Sequence, residues 1–191
     1  MVIAVLLSTG KAFCEATAVQ QSYTVVQPTV AVEKVSAAES GTINPETGVA
    51  EDLSAIFNLQ SNDTQTFFVV YSSLLTENGT SVSAFDGKNL LFANKTNPPT
   101  IDAVNKAKQG AVGNRNVIGY KMNLAGENFD ILFTESSIYG DCYKVSLKEA
   151  LTAGTLLQTV GGAPAVNTYS PGEDLSGDYV VTVYVTAATK I

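Results

Sequence analysis

The side chains that most often carry out chemistry in proteins are sparse in this chain of 191 residues. The chain contains no His and two Cys, at Cys14 and Cys142. Without His, the Ser-His-Asp and Cys-His catalytic arrangements and any His-ligated metal site are excluded. Two thiols are also too few for a four-thiolate zinc or iron–sulfur site within one chain. Carboxylates are among the reactive groups that remain.

The carboxylates are scattered along the chain. The densest group is Glu173, Asp174 and Asp178, which lacks the alternating, closely spaced oxygen ligands of a calcium loop. We interpret this group as a solvated turn. Two carboxylates can hydrolyse a glycosidic bond, but no pair stands out in the sequence. We therefore expect no enzyme activity, no metal and no cofactor.

The charge and hydropathy of the chain narrow the class of protein further. There are 18 acidic and 11 basic residues, giving a net charge of -7, and Arg115 is the single Arg. Neutralising phosphates requires clustered cations, so we expect no binding to nucleic acid. Hydrophobic residues make up 45% and charged residues 15%, which favours one core-forming domain over disorder.

The N-terminus predicts an export signal. Residues 2–7 form an unbroken apolar run, and Ala16 and Ala18 supply a small-x-small cleavage site, as in secretory signal peptides. We expect residues 1–18 to be a signal peptide and the mature chain, which begins at Val19, to be secreted without a membrane span. The alternative is that this stretch forms a buried N-terminal strand or helix.

Cleavage after Ala18 would remove Cys14 and leave Cys142 as a lone thiol. Cys142 stands just before an alternating apolar stretch, and free Cys is among the most buried residue types. We interpret it as a core thiol at the start of a strand. The alternative, in an oxidising compartment, is an intermolecular disulfide.

Alternating β-branched and apolar residues predict many short strands, which is typical of a β-sandwich. Asp86-Gly87 predicts a hairpin joining strands at 81–85 and 89–93, and the turn after Leu124 predicts a second hairpin over 117–134. We expect a single domain over residues 36–191. The other predicted strands lie at 23–26, 29–35, 55–59, 66–75 (central, by its hydrophobicity), 143–147 and 177–187.

The remaining segments are predicted to be helical or irregular. Residues 101–108 form the one helix candidate, with Thr100 as its cap and Gly110 as its stop. A turn of helix is expected within 148–159, and a long loop over 36–52.

Three asparagines match the glycosylation acceptor pattern. We interpret them as turn residues, because Asn, Gly and Thr favour turns. They are Asn62, Asn78 and Asn94.

The last predicted strand carries the most informative pattern. Val181, Val183 and Val185 fall on one face, and Gly177 and Tyr179 precede them. A Gly-x-Tyr turn leading into an alternating, valine-rich last strand resembles the C-terminus of chaperone–usher pilins and of the related spore-coat-U-like secreted proteins. The common pilin disulfide is missing, so the branch without it fits better.

This resemblance implies an immunoglobulin-like β-sandwich that lacks one strand and is completed by strand exchange. The N-terminal extension of each subunit would fill an apolar groove beside the last strand of its neighbour. The resemblance also implies a structural role in a cell-surface fimbria that supports adhesion. Its partners would be identical or related subunits, a periplasmic chaperone and an outer-membrane usher. The extension would span residues 19–35, with Tyr23, Val25, Val30 and Val32 as candidate donor residues.

Alternatives stay open at this point. The segment at 19–35 is either a donor segment or the first strand of a complete sandwich. Besides a fibre subunit, the chain could be a self-complete sandwich that binds a carbohydrate or protein ligand through its loops, or a small hydrolase.

Overall fold

The fold is built almost entirely from strands. A computed structural model describes residues 29–111, 115–150, 154–162 and 167–188. Within these residues the helix α1 (Ile101–Lys108) lies between the sixth and seventh of twelve strands. In chain order the strands are β1 (Val30–Ala38), β2 (Leu53–Ser61), β3 (Phe67–Leu75), β4 (Ser81–Val82), β5 (Phe85–Asp86), β6 (Asn89–Asn94), β7 (Val117–Ala125), β8 (Phe129–Ser136), β9 (Gly140–Leu147), β10 (Thr155–Val160), β11 (Tyr179–Val180) and β12 (Thr182–Ala188).

The strands form two antiparallel sheets. The first runs in the order β1-β2-β10-β7-β6-β11, with β5 also paired to β6. The second runs β12-β3-β9-β8, with β4 also paired to β3. Buried side chains from both sheets, among them Phe68, Leu91 and Leu156, form one main core. The predicted all-β sandwich is confirmed.

Strand β3 is central in the second sheet, as its hydrophobicity predicts. It lies between β12 and β9, and both of its faces are covered. Phe68 and Val70 join the main core, whereas Phe67 and Val69 form a second cluster with Cys142 on the opposite face. Cys142 is fully buried near the start of β9, so the prediction of a core thiol is confirmed.

The predicted helix is confirmed, and so is the Asp86-Gly87 turn of the first predicted hairpin, but the predicted strand 81–85 is divided, because Ser81–Val82 pairs with β3 and only Phe85–Asp86 pairs with β6. Thr100 caps α1 by accepting a hydrogen bond from the backbone N–H of Ala103 at 3.0 Å, and Gly110 ends the turn with φ +75°. In the hairpin, Asp86 pairs with Asn89. The ends of the helix and the hairpin turn are each determined by a few residues that are neighbours in the sequence.

The second predicted hairpin is wrong. Strand β7 pairs with β6 and β10 in the first sheet, whereas β8 pairs with β9 in the second. The chain changes sheets at Gly126, where a Cβ would collide with the ring of Phe129, which is buried in the main core. An alternation of period two indicates a strand but does not indicate which strand pairs with it. The hairpin over 117–134 is predicted only because its two strands are adjacent in the sequence.

Two irregular segments also differ from prediction. Within 148–159, where a turn of helix was expected, residues 155–159 belong to strand β10, which pairs with β2 on one side and β7 on the other, and residues 151–153 lie outside the described residues. Within the predicted loop at 36–52, β1 continues to Ala38 and an isolated bridge joins Ile43 to Ala50. The predicted boundary between residues 35 and 36 therefore falls inside β1.

Candidate functional site

The segment predicted as one last strand is divided between the two sheets. Tyr179 and Val180 pair with Asn94 and Ala93 of β6 in the first sheet. Two residues later, Thr182 pairs with Ser73 of β3 in the second sheet. The break at 181 lets one continuous segment close the sandwich at this end, and the prediction of an uninterrupted strand over 177–187 is wrong.

The Gly-x-Tyr motif holds this crossing in place. Gly177 has φ +133°, and a Cβ there would lie 3.4 Å from the side-chain nitrogen of the fully buried Asn94. The hydroxyl of Tyr179 lies 2.7 Å from the carbonyl oxygen of Leu175 and 2.9 Å from that of Arg115, and can donate to either. Burial raises the pKa of Tyr179, so the phenol keeps its proton for this bond. Gly177 and Tyr179 therefore act as structural anchors.

Past the crossing, β12 borders an apolar groove. It pairs with β3 along one edge and, in the described ranges, with no strand along the other. The groove there has a volume of about 1010 Å³, at the upper end of the ~300–1,000 Å³ usual for ligand pockets. Its apolar walls come from β2 on one side and from the start of β12 on the other. The wall residues are Leu53, Ala55, Phe57, Val181 and Val183.

The walls of the groove are only partly covered. Leu53, Phe57, Val181 and Val183 are half-buried, in contrast to the buried Leu90 and Phe92 at its base. Each square ångström of apolar surface removed from water contributes about 25 cal/mol. A further apolar strand placed here would therefore gain burial energy from walls that this chain leaves incomplete.

The groove also contains a buried polar group without a partner. Gln158 lies on β10 between the buried Leu156 and Val160, and 9% of its surface is exposed. In the part of the chain that the structure describes, no donor reaches its Oε1. Leaving a buried acceptor unpaired costs about 1–3 kcal/mol. The groove therefore offers one buried, unpaired acceptor beside its apolar walls.

The predicted donor residues are divided by the structure. Val30 and Val32 lie in β1, where they pair with Ser61 and Leu59 of β2 in the same chain. β1 is exposed along its length except for the half-buried Val32. Tyr23 and Val25 lie outside the described residues. Val181, Val183 and Val185 turn toward the core, as their alternation predicts.

The other candidate groups have structural roles. Asp174 accepts a hydrogen bond from the backbone N–H of Ser170 at 2.6 Å, and burial raises its pKa despite that bond. Burial also raises the pKa of the Cys142 thiol. Among the described residues, no group of three or more Cys, Asp or Glu side chains could hold a metal ion. No helix in the same ranges has the length and hydropathy to cross a membrane.

Of the three Asn-x-Thr asparagines, Asn78 lies in a turn, as predicted, and Asn62 lies in the bend that follows β2, whereas the prediction is wrong for Asn94, which is the fully buried last residue of β6. The Asn62 side chain accepts from the backbone N–H of Thr29 at 2.8 Å, and that of Asn78 from Thr80 at 3.1 Å. The Asn94 side chain accepts from the N–H of Asn97 at 2.9 Å.

Sequence reasoning missed Phe57 and Gln158. The alternation of Leu53, Ala55 and Phe57 could have indicated one inward face of β2. Gln158 gave no such signal, because its segment was predicted to be helical.

Comparison of the sequence with models of known protein families and with curated proteins gives no match.

Proposed function

We propose that this protein is a structural subunit of a secreted surface fibre that polymerises by strand exchange. The groove beside β12 accepts an extended N-terminal segment from a second copy of the chain. Adhesion, a fimbrial location, a periplasmic chaperone and an outer-membrane usher belong to the same proposal, on the resemblance of Gly177 to Val185 to pilins. The open edge of β12 beside an apolar groove is the observation that supports it.

An open edge favours strand addition. The backbone N–H and C=O groups along the free side of β12 are available to a further strand. Strand addition obtains affinity from such backbone hydrogen bonds and specificity from alternate side chains that fill pockets. The half-buried Phe57 and Val183 would line those pockets.

The occupant we propose is residues 19–29. This segment contains no charged side chain, so its insertion between the apolar walls of the groove would bury no side-chain charge. Eleven extended residues span about 36 Å at ~3.3 Å per residue, which exceeds the length of the seven-residue β12. The segment also carries Tyr23 and Val25 in alternation, as a half-buried strand requires.

A grafted chain tests the proposal. Residues 19–32 are added after Ile191 through a short Gly-Ser linker, so that the segment can form a hairpin with β12. We expect the mature chain alone to be oligomeric or of low stability, and the grafted chain to be a monomer with a clearly higher urea midpoint. Size exclusion with light scattering measures the oligomeric state, and urea denaturation measures the midpoint.

A matched graft serves as the control. It carries Tyr23→Ser and Val25→Ser in the added copy only, which removes the apolar side chains and keeps the length. We expect this control graft to raise the urea midpoint of the chain only slightly. If the ungrafted and grafted chains are equally stable monomers, strand exchange is wrong and a self-complete, ligand-binding sandwich becomes the better interpretation.

Substitutions at the two opposite edges of the second sheet locate the interface. Val183→Asn places an amide in the groove wall, whereas Leu132→Asn alters the 63% exposed Leu132 on edge strand β8. We expect Val183→Asn to weaken self-association of the mature chain by at least tenfold and Leu132→Asn to leave it unchanged. If Leu132→Asn weakens self-association more than Val183→Asn does, the interface lies at β8 and the proposal is wrong.

A further inference from the structure

The unpaired Oε1 of Gln158 points to a donor that comes from outside the described part of the chain. Buried polar groups in folded proteins nearly always have a hydrogen-bond partner. Gln158 is more than nine-tenths buried, lines the groove and has no donor in the described ranges. It faces the space where we place a strand from a second copy.

We propose that Gln158 selects the incoming strand by accepting a hydrogen bond from the side-chain amide of Gln21 or Gln27 of the neighbouring copy. This inference rests on the proposed function and adds a specificity residue to it. In an extended strand, side chains two residues apart share a face. Gln21, Tyr23, Val25 and Gln27 are therefore on one face, while Ser22, Thr24 and Val26 are on the other.

The chemistry of this face matches the groove. Tyr23 and Val25 supply apolar surface for the walls, and an amide on either side of them supplies an N–H donor. The hydroxyls of Ser22 and Thr24 would point away when Tyr23 and Val25 point inward. A purely apolar segment would bury the Gln158 acceptor without a partner, and this penalty discriminates against it.

Substitutions in the grafted chain described above test the inference. Gln158→Leu, and Gln158→Met as a second variant, are made in both the grafted and ungrafted chains. In the grafted copy of residues 19–32, Gln21→Leu and Gln27→Leu remove the two candidate donors. Gln20→Leu, on the opposite face, is the matched control. Urea denaturation gives the folding equilibrium constant of each variant.

We expect Gln158→Leu to lower the folding equilibrium constant of the grafted chain by about 2- to 12-fold, the range of one buried hydrogen bond. In the ungrafted chain, at a concentration where size exclusion finds only the monomer, the acceptor is unpaired, and Gln158→Leu should leave the constant unchanged or raise it. One donor variant should lower stability alone but have no further effect once Gln158 is replaced. Gln20→Leu should have no effect.

The outcomes separate this inference from the function on which it rests. If the graft stabilises the chain but the Gln158 variants change the grafted and ungrafted forms equally, the role of Gln158 is wrong and strand exchange stands. If neither donor variant is coupled to Gln158, the assignment of the amide donor is wrong. If the graft gives no stabilisation, the proposed function itself fails.

Discussion

The ring of Tyr184 stacks on the ring of Tyr71, with centroids 4.8 Å apart and planes inclined by 14°. The two residues are direct partners across the β12–β3 pair. Val183 and Val185, the neighbours of Tyr184, turn toward the core, so the stack lies on the opposite face of the sheet. It attaches the edge strand β12 to the sheet from the side away from the groove.

Removing this stack should destabilise the protein whether or not the groove is filled. We expect Tyr184→Ala to lower the free energy of unfolding by about 1–2 kcal/mol, since cross-strand aromatic pairs contribute on this scale. Tyr184→Phe keeps the ring and should remain within about 0.5 kcal/mol of the parent. Urea denaturation measures both, and an equal loss for Phe and Ala would show that the hydroxyl, not the stack, matters.

Substitutions at two glycines with positive φ angles distinguish the cost of backbone strain from the cost of steric overlap. Gly48 has φ +71°, and a Cβ there would collide with the carbonyl oxygen of Tyr169, whereas Gly79 has φ +80° and open space around it. Gly79→Ala should cost about 1–2 kcal/mol of stability from left-handed strain alone. Gly48→Ala should cost more, because backbone must also move. Similar losses in urea denaturation would contradict the overlap at Gly48.

Asp174 should make stability depend on pH. Burial raises its folded-state pKa above the ordinary 3.8. The stabilisation associated with the protonated carboxyl is therefore fully present below the unfolded pKa and is lost as the pH rises through the folded pKa. Asp174→Asn keeps an acceptor for the Ser170 N–H without the charge. We expect this variant to have a higher urea midpoint than the parent at pH 7, with the difference disappearing at pH 3.

The exposed Asp178 is the control for this comparison, and Asp178→Asn should show a much smaller change at pH 7. A lower midpoint for Asp174→Asn at pH 7 would mean that the charged form is the stabilising one.

Cys142 should be unreactive while the protein is folded. It is fully buried, and burial raises its thiol pKa, which lowers the thiolate fraction that reacts. In a Cys14→Ser variant, which retains one thiol, a disulfide reagent at pH 8 should label Cys142 only after urea is added. Rapid labelling of the folded protein, or a disulfide-linked dimer, would instead support the intermolecular role.

Local signals account for the parts of the fold that the sequence predicted. The Thr100 cap and the Gly110 stop bound α1, and Asp86-Gly87 joins β5 to β6, because each depends on neighbouring residues. Strand pairing depends on residues far apart in the chain. For this reason the partners of β7 and the strand character of β10 were missed.

The groove was predictable only in part. The alternation of Val181 and Val183 predicts that both side chains turn toward the core, and this prediction does not depend on which sheet the strand joins. The opposite wall comes from Phe57, and the acceptor from Gln158, two residues about a hundred positions apart that meet only because β2 pairs with β10. A single sequence carries no local sign of such a meeting.

The crossing of the chain after Tyr179 also determines the order in which the protein can fold. Val70 pairs with Val185, and Ala93 with Val180, so each sheet needs a strand made late in synthesis. Contacts this distant in sequence require large loops to close first, which makes folding slow. A chain emerging from the ribosome therefore lacks a strand of both sheets until β12 is released.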